Sequence, residues 1–115
     1  MTSEDRKTLI ARYADGYRAV AEALAGATDA QLDARPAPGK WTAREVVHHL
    51  ADSEMTGASR LRLLVGTDNP QIFAYDQDAF VARLYYDRPI AASLDAFKGV
   101  RRATVEILER MTEAD

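Results

Sequence analysis

The sequence has 115 residues, 47% of them apolar and 29% charged, with a net charge of −3 at pH 7 and a pI near 5.4. That length fits one domain with a modest core, and the acidic balance lacks the basic footprint of a nucleic-acid-binding protein. The absence of cysteine excludes disulfides, thiolate zinc sites and a catalytic thiol, so a transition metal here would need His and carboxylate ligands.

The N-terminal segment MTSEDRKTLI is acidic and polar, without the basic-then-apolar order of a signal peptide. No apolar run approaches the roughly 18 residues of a membrane span. A cytoplasmic protein, off the membrane, is the expectation.

The first helix is predicted from about Glu4 to Ala25. Leu9, Ile10, Tyr13, Tyr17, Val20 and Leu24 repeat at three and four residues and form one stripe. Thr2 or Ser3 caps its start, and Gly26 marks its end. Thr28 to Leu32 reads as one Thr-capped turn, after which Pro36, Pro38 and Gly39 break the chain. The second long helix starts at Thr42, which has the capping-box spacing to Glu45, and runs to Val65 before Gly66. The segment GTDNPQIFAY is a loop by its turn residues. Asp76 to Tyr85 reads as a short helix. Asp87-Arg88-Pro89 interrupts it, with Pro89 suited to the first position of the last helix. That helix carries Ile90, Leu94, Phe97, Val100 or Arg101, Thr104, Leu108 and Met111. No segment alternates with period two. The fold class is all-α, with three long helices, and the chain is expected to form a single domain, 1–115.

The two histidines of the chain are adjacent, in KWTAREVVHHLADSE. At 100° per residue, Val46, Leu50, Ser53, Gly57, Leu61 and Leu64 share the face expected to meet the core. His49 falls at the edge of that face, near Ser53, Thr56 and Arg60. His48 falls about 100° further round, beside Asp52, Met55 and Ser59, and is expected to face solvent. One His is not a metal site, since zinc takes three protein ligands for catalysis and four for structure. Ser53 is four residues from His49, but a Ser–His pair on one helix lacks the strained elbow and oxyanion loop of a hydrolytic nucleophile. Asp76 and Asp78 suit a helix start, Trp41 suits a hydrophobic staple ahead of Thr42, and Tyr85 and Tyr86 suit packing.

The run PAPGKWTAREVVHHLADSE resembles the DinB/YfiT-like superfamily, whose members are read as metalloenzymes. In that family a Pro/Gly turn leads to Trp-Ser/Thr and then to a helix bearing His-Leu-Ala-Asp. RLRLLVGTDNPQIFAYDQDAF and LERMTEAD extend the resemblance over nearly the whole chain. The resemblance implies a four-helix bundle of up-down type, here with three long helices of an expected four, and a homodimer. It implies a divalent ion, zinc or nickel, held by three histidines, one of them His49 and two from an H-x-x-x-H pair on the last helix. It also implies action on a small-molecule substrate, as a hydrolase or as a transferase of low-molecular-weight thiols. This sequence has no H-x-x-x-H, and His48, directed elsewhere, is no substitute. The domain is therefore expected to be C-terminally incomplete, without appreciable metal-dependent turnover by itself. The alternative reading is a non-catalytic helical domain that dimerises, or binds a partner, through its open apolar face.

Overall fold

The computed structural model describes residues 1–115 and contains five helices: α1 Ser3–Leu24, α2 Asp29–Asp33, α3 Ala43–Gly66, α4 Gln77–Arg83 and α5 Ala91–Arg110. No residue lies in a strand. Helices α1, α2 and α3 each start with a full capping box, Thr2 with Asp5, Thr28 with Gln31 and Thr42 with Glu45. In each, the Thr hydroxyl accepts from the N3 amide while the N3 side chain accepts from the Thr amide, so two otherwise orphaned donors are satisfied. Asp76 caps α4 by accepting from the Ala79 amide. Pro89 is not the first helical residue: α5 begins at Ala91, with Ile90 as its cap and no side-chain hydrogen bond there. The carbonyl of Arg88 at this corner is engaged by Arg44 and His48, which fixes the turn before the helix can start.

Helix α5 packs against both α1 and α3. It runs antiparallel to α1, since Arg6 donates to the carbonyls of Leu108 and Met111 while Tyr17 lies against Phe97. It runs parallel to α3: His48 meets Ser93, Glu54 meets Arg101, and Arg62 meets Thr104. Two sequential long helices can be parallel only if the chain travels back between them. Residues 67–90 do this along the flank of α3. Arg60 donates to the Phe73 carbonyl at 2.7 Å, and further on Tyr86 donates to Asp52 at 2.6 Å.

Of the twelve buried residues, six are apolar (Leu32, Val47, Ala51, Ala58, Tyr86, Phe97) and six polar or charged (Thr42, Arg44, His48, Glu54, Ser93, Thr104). Polar contacts therefore share the interior with apolar packing, and burying such groups is tolerable only because they are hydrogen-bonded. This corrects the face expected for α3. The buried residues are Arg44, Val47, His48, Ala51, Glu54 and Ala58, a stripe turned by one residue from Val46, Leu50, Ser53, Gly57, Leu61 and Leu64. Val46 is 39% exposed and Leu64 55%. Small Ala51 and Ala58 let α5 approach, and the buried polar residues all have partners; hydropathy alone favours the larger aliphatic side chains. No helix is long and apolar enough to cross a membrane.

Candidate metal centre

The start of α3 is specified by side-chain bonds to its first turn. Thr42 and Glu45 close their capping box at 2.9 and 3.1 Å. Glu45 also pairs with Arg35 at 3.0 Å. These bonds, led by the Thr42 amide, hold the Glu45 carboxyl below its ordinary pKa. Trp41, just ahead of the cap, is half-buried and meets the His49 ring edge-on, with centroids 5.0 Å apart and planes at 67°.

His49 is itself half-buried. Its Nδ1 atom is buried and makes no hydrogen bond. A buried polar atom without a partner costs about 1–3 kcal/mol, and such atoms are uncommon enough that each asks for a reason. A position for ligand binding is one such reason. The carboxylates nearest along the helix are committed elsewhere. Glu45, four residues before, serves the cap and Arg35. Asp52, three residues after, accepts from the Tyr86 hydroxyl. Burial and that bond raise the pKa of Tyr86, so the phenol stays protonated and keeps Asp52 occupied. No group of three or more His, Asp or Glu residues is arranged to hold a metal ion. The residues present thus fit one ligand, His49, and do not make a complete ion site.

His48 does not face solvent. It is fully buried, with Nδ1 at 2.6 Å from the Ser93 hydroxyl and Nε2 at 2.8 Å from the Arg88 carbonyl. A carbonyl can only accept, so Nε2 is the donor there, and the Ser93 hydroxyl can serve Nδ1. Tyr86 covers the ring at 5.4 Å. His48 therefore ties α3 to the corner before α5. Helical phase puts His48 outside only when the inner face is taken from the aliphatic residues, and the face that is buried is the one with Val47, Ala51 and Ala58. His48 is not brought to His49 as a second ligand, since both its nitrogens are used. Ser53 is half-buried, and Asp76 and Asp78 lie at the start of α4, exposed. Tyr85 is 75% exposed, whereas Tyr86 is 3% exposed.

A second constellation escaped sequence reasoning. Glu54 is buried in the middle of α3 and accepts from the Tyr13 hydroxyl and from Arg101 Nη2, the latter at 2.7 Å. Arg101 also donates to the Tyr13 carbonyl and stacks over the Tyr13 and Phe97 rings, 4.1 and 4.5 Å from their centroids. Burial, then Glu54, raises the Tyr13 pKa. A groove of about 270 Å³, which includes Ser53 and Gly57, opens beside this pair. The sequence signal was the seven-residue repeat Val47, Glu54 within the small-residue stripe Ala51, Ala58, a core position occupied by a charge.

The sequence profile of the DinB superfamily matches residues 12–115. A protein of Bacillus pumilus named "Putative metal-dependent hydrolase" is 36% identical over 106 residues, which are 92% of this chain and 59% of that protein. A protein of the same name from Geobacillus thermodenitrificans is 34% identical over 114 residues, 98% of this chain and 64% of the relative. The structure of YfiT from Bacillus subtilis, described as "a probable metal-dependent hydrolase with an unusual four-helix bundle topology", superposes with a TM-score of 0.92 at 28% identity. The match covers 99% of this chain and 66% of that one. This chain thus spans about half to two thirds of the length of the curated relatives it matches.

Proposed function

We propose that this chain, which belongs to the DinB superfamily, acts as part of a metal-dependent hydrolase in which His49 is one ligand of a divalent ion, zinc or nickel. The observation that supports the assignment is the buried, unpartnered Nδ1 of His49 on a helix whose neighbouring carboxylates are already bonded. Such an ion, when bound, lowers the pKa of a coordinated water or thiol and so supplies a nucleophile near neutral pH; the second case would give a transfer of low-molecular-weight thiols instead of hydrolysis. The chain's own contribution is to present one imidazole from a rigid, capped helix and to keep Glu45 and Asp52 from competing for the ion. A three-ligand site draws its other two ligands from outside residues 1–115.

Nickel titration followed by NMR of the imidazole signals tests the reading. Nickel is expected to broaden the His49 resonances first, and His49→Ala is expected to remove that response while the two-bond network of His48 persists. The 115-residue chain alone is expected to retain well under one ion per molecule after purification and to show no metal-dependent ester hydrolysis. An unchanged nickel affinity in His49→Ala overturns the assignment.

One observation favours the second reading, a helical domain that pairs with another copy of itself. Leu63, Leu64, Ile72 and Phe73 are 43–74% exposed, and on the helix and the return segment they give the surface large apolar side chains that a partner would cover.

A further inference from the structure

We propose that α1 is a hinged arm: it opens as one unit about Gly26, latched shut by the Tyr13–Glu54 hydrogen bond, while α2, α3 and α5 stay folded. This goes beyond the reading of His49 and does not depend on it. Segments that open below the global unfolding free energy have few buried apolar contacts. Helix α1 is 22 residues long and has no buried residue, whereas the five residues of α2 include buried Leu32. Helix α1 packs on α5 and reaches α3 by one hydrogen bond, from Tyr13 to Glu54. Its ties lie between Arg6 and Tyr17. Arg6 donates to the Leu108 and Met111 carbonyls, Tyr13 meets Glu54 and Arg101, and Tyr17 contacts Phe97 and Lys98. From Arg18 onward no α1 side chain makes a hydrogen bond outside the helix; Arg18 itself pairs with Asp15 and Glu22. The arm is thus held far from its hinge and free near it.

The chain is fixed immediately beyond the hinge. Buried Arg44 bonds Asp29 and Asp33 at 2.9 and 2.6 Å and holds α2 on α3. Gly26, between this anchor and the end of α1, has φ +73°, a region glycine enters without steric cost. No atom beyond its chain neighbours lies within 4 Å of where a Cβ would stand. A cavity of about 400 Å³, lined by Leu24, Ala27, Leu32 and Ala43 among others, opens beside it. The backbone can turn there without displacing a packed side chain. The latch also releases without stranding a charge. The Glu54–Arg101 bond, at 2.7 Å, joins α3 to α5, so in this cluster opening forfeits the Tyr13 contacts and leaves the ion pair intact. Tyr13 is the one α1 residue lining the groove of about 270 Å³ beside Glu54. That volume falls just below the roughly 300–1,000 Å³ of small-molecule sites, and moving the Tyr13 wall enlarges it. The arm therefore sets the width of the groove.

Native-state hydrogen exchange of the full 115-residue chain tests the arm, with the variants Tyr13→Phe and Ser93→Ala. In the wild type the amides of α1 are expected to exchange together, at least about tenfold faster than the slowest amides of α3 and α5. Their dependence on added urea is expected to be shallower, because opening α1 exposes less surface than unfolding the whole chain. Tyr13→Phe breaks a bond present only in the closed state. It is expected to speed exchange of α1 and of those slowest amides alike, by roughly tenfold, the size of a hydrogen bond to a charged group. Ser93→Ala removes the bond to His48, which the open state keeps. It is expected to speed the slowest amides of α3 and α5 and to leave α1 unchanged. An α1 response to Ser93→Ala equal to theirs, or α1 amides that share their rate and urea slope in the wild type, would overturn the arm. Exchange of α1 unmoved by Tyr13→Phe would overturn the latch. If Ser93→Ala fails to fold, the wild-type urea slopes decide alone: separate slopes support the arm, and a common slope overturns it.

Discussion

Arg101 reaches across to α1 only because residue 16 has no side chain. A Cβ at Gly16 would lie 2.1 Å from Arg101 Nη1, far inside contact distance. The end of an arginine is ordinarily flexible, but this one is held by Glu54, by the Tyr13 carbonyl and by two aromatic rings. Gly16→Ala would usually stabilise a helix by up to about 1 kcal/mol. Here it is expected to destabilise by about 1–3 kcal/mol, the cost of overpacking a filled site. In an Arg101→Ala background the sign should reverse. Urea unfolding of the four proteins of that cycle measures it, and the same sign in both backgrounds would show that Arg101 moves aside freely. At this scale the sequence was partly legible. His49 was singled out and is half-buried, with an unpartnered nitrogen. His48 and Glu54 were not legible, because their burial depends on Ser93, the Arg88 carbonyl, Tyr13 and Arg101, all distant in sequence.

At the scale of elements, α3 depends on its first turn. The Glu45 carboxyl has a depressed pKa in the folded chain, so its contribution is complete above the ordinary carboxylate value of about 4.3 and is lost as pH falls through its lower folded value. Glutamine at the same position can still close a capping box but does not titrate. The stability difference between wild type and Glu45→Gln is therefore expected to be constant from pH 5 to 7 and to shrink below pH about 4.3. A difference that stays flat down to pH 2 would show that the carboxylate charge adds nothing to the cap. Element boundaries were the most legible feature of the sequence, because Thr2, Thr28, Thr42 and Asp76 each announce a helix by local chemistry. The phase of α3 was less so. Which face of a helix is inside depends on the helix that meets it, and α5 meets the side with Ala51 and Ala58 rather than the side with Val46 and Leu64.

For the whole molecule, the parallel pairing of α3 and α5 leaves α1 joined to α5 along its length and to α3 through the Tyr13–Glu54 hydrogen bond. The apolar residues of the distal half of α3 and of the return segment stay uncovered, with Leu64 55% and Phe73 74% exposed. Self-association through them is expected at micromolar concentration. Sedimentation velocity should show a dimer for the wild type and a monomer for Leu64→Glu combined with Phe73→Glu. A wild-type monomer that binds no hydrophobic dye would sink this expectation. The bundle class could be read from three apolar stripes and their breakers. The parallel order could not, since it is set by residues 67–90 folding back along α3, and loop sequence says little about direction.

The same arrangement governs how the protein is made. Arg6 finds its carbonyl partners on Leu108 and Met111, up to 105 residues later. At synthesis rates of about 5–20 residues per second, α1 leaves the ribosome some 5–20 seconds before the surface that covers it exists. Through that interval Tyr13 and Tyr17 lack Arg101 and Phe97, their neighbours on α5, and the nascent chain carries an uncovered stripe on α1. Of the five helices, α1 waits longest for α5, and chaperones and proteases have that interval to reach it.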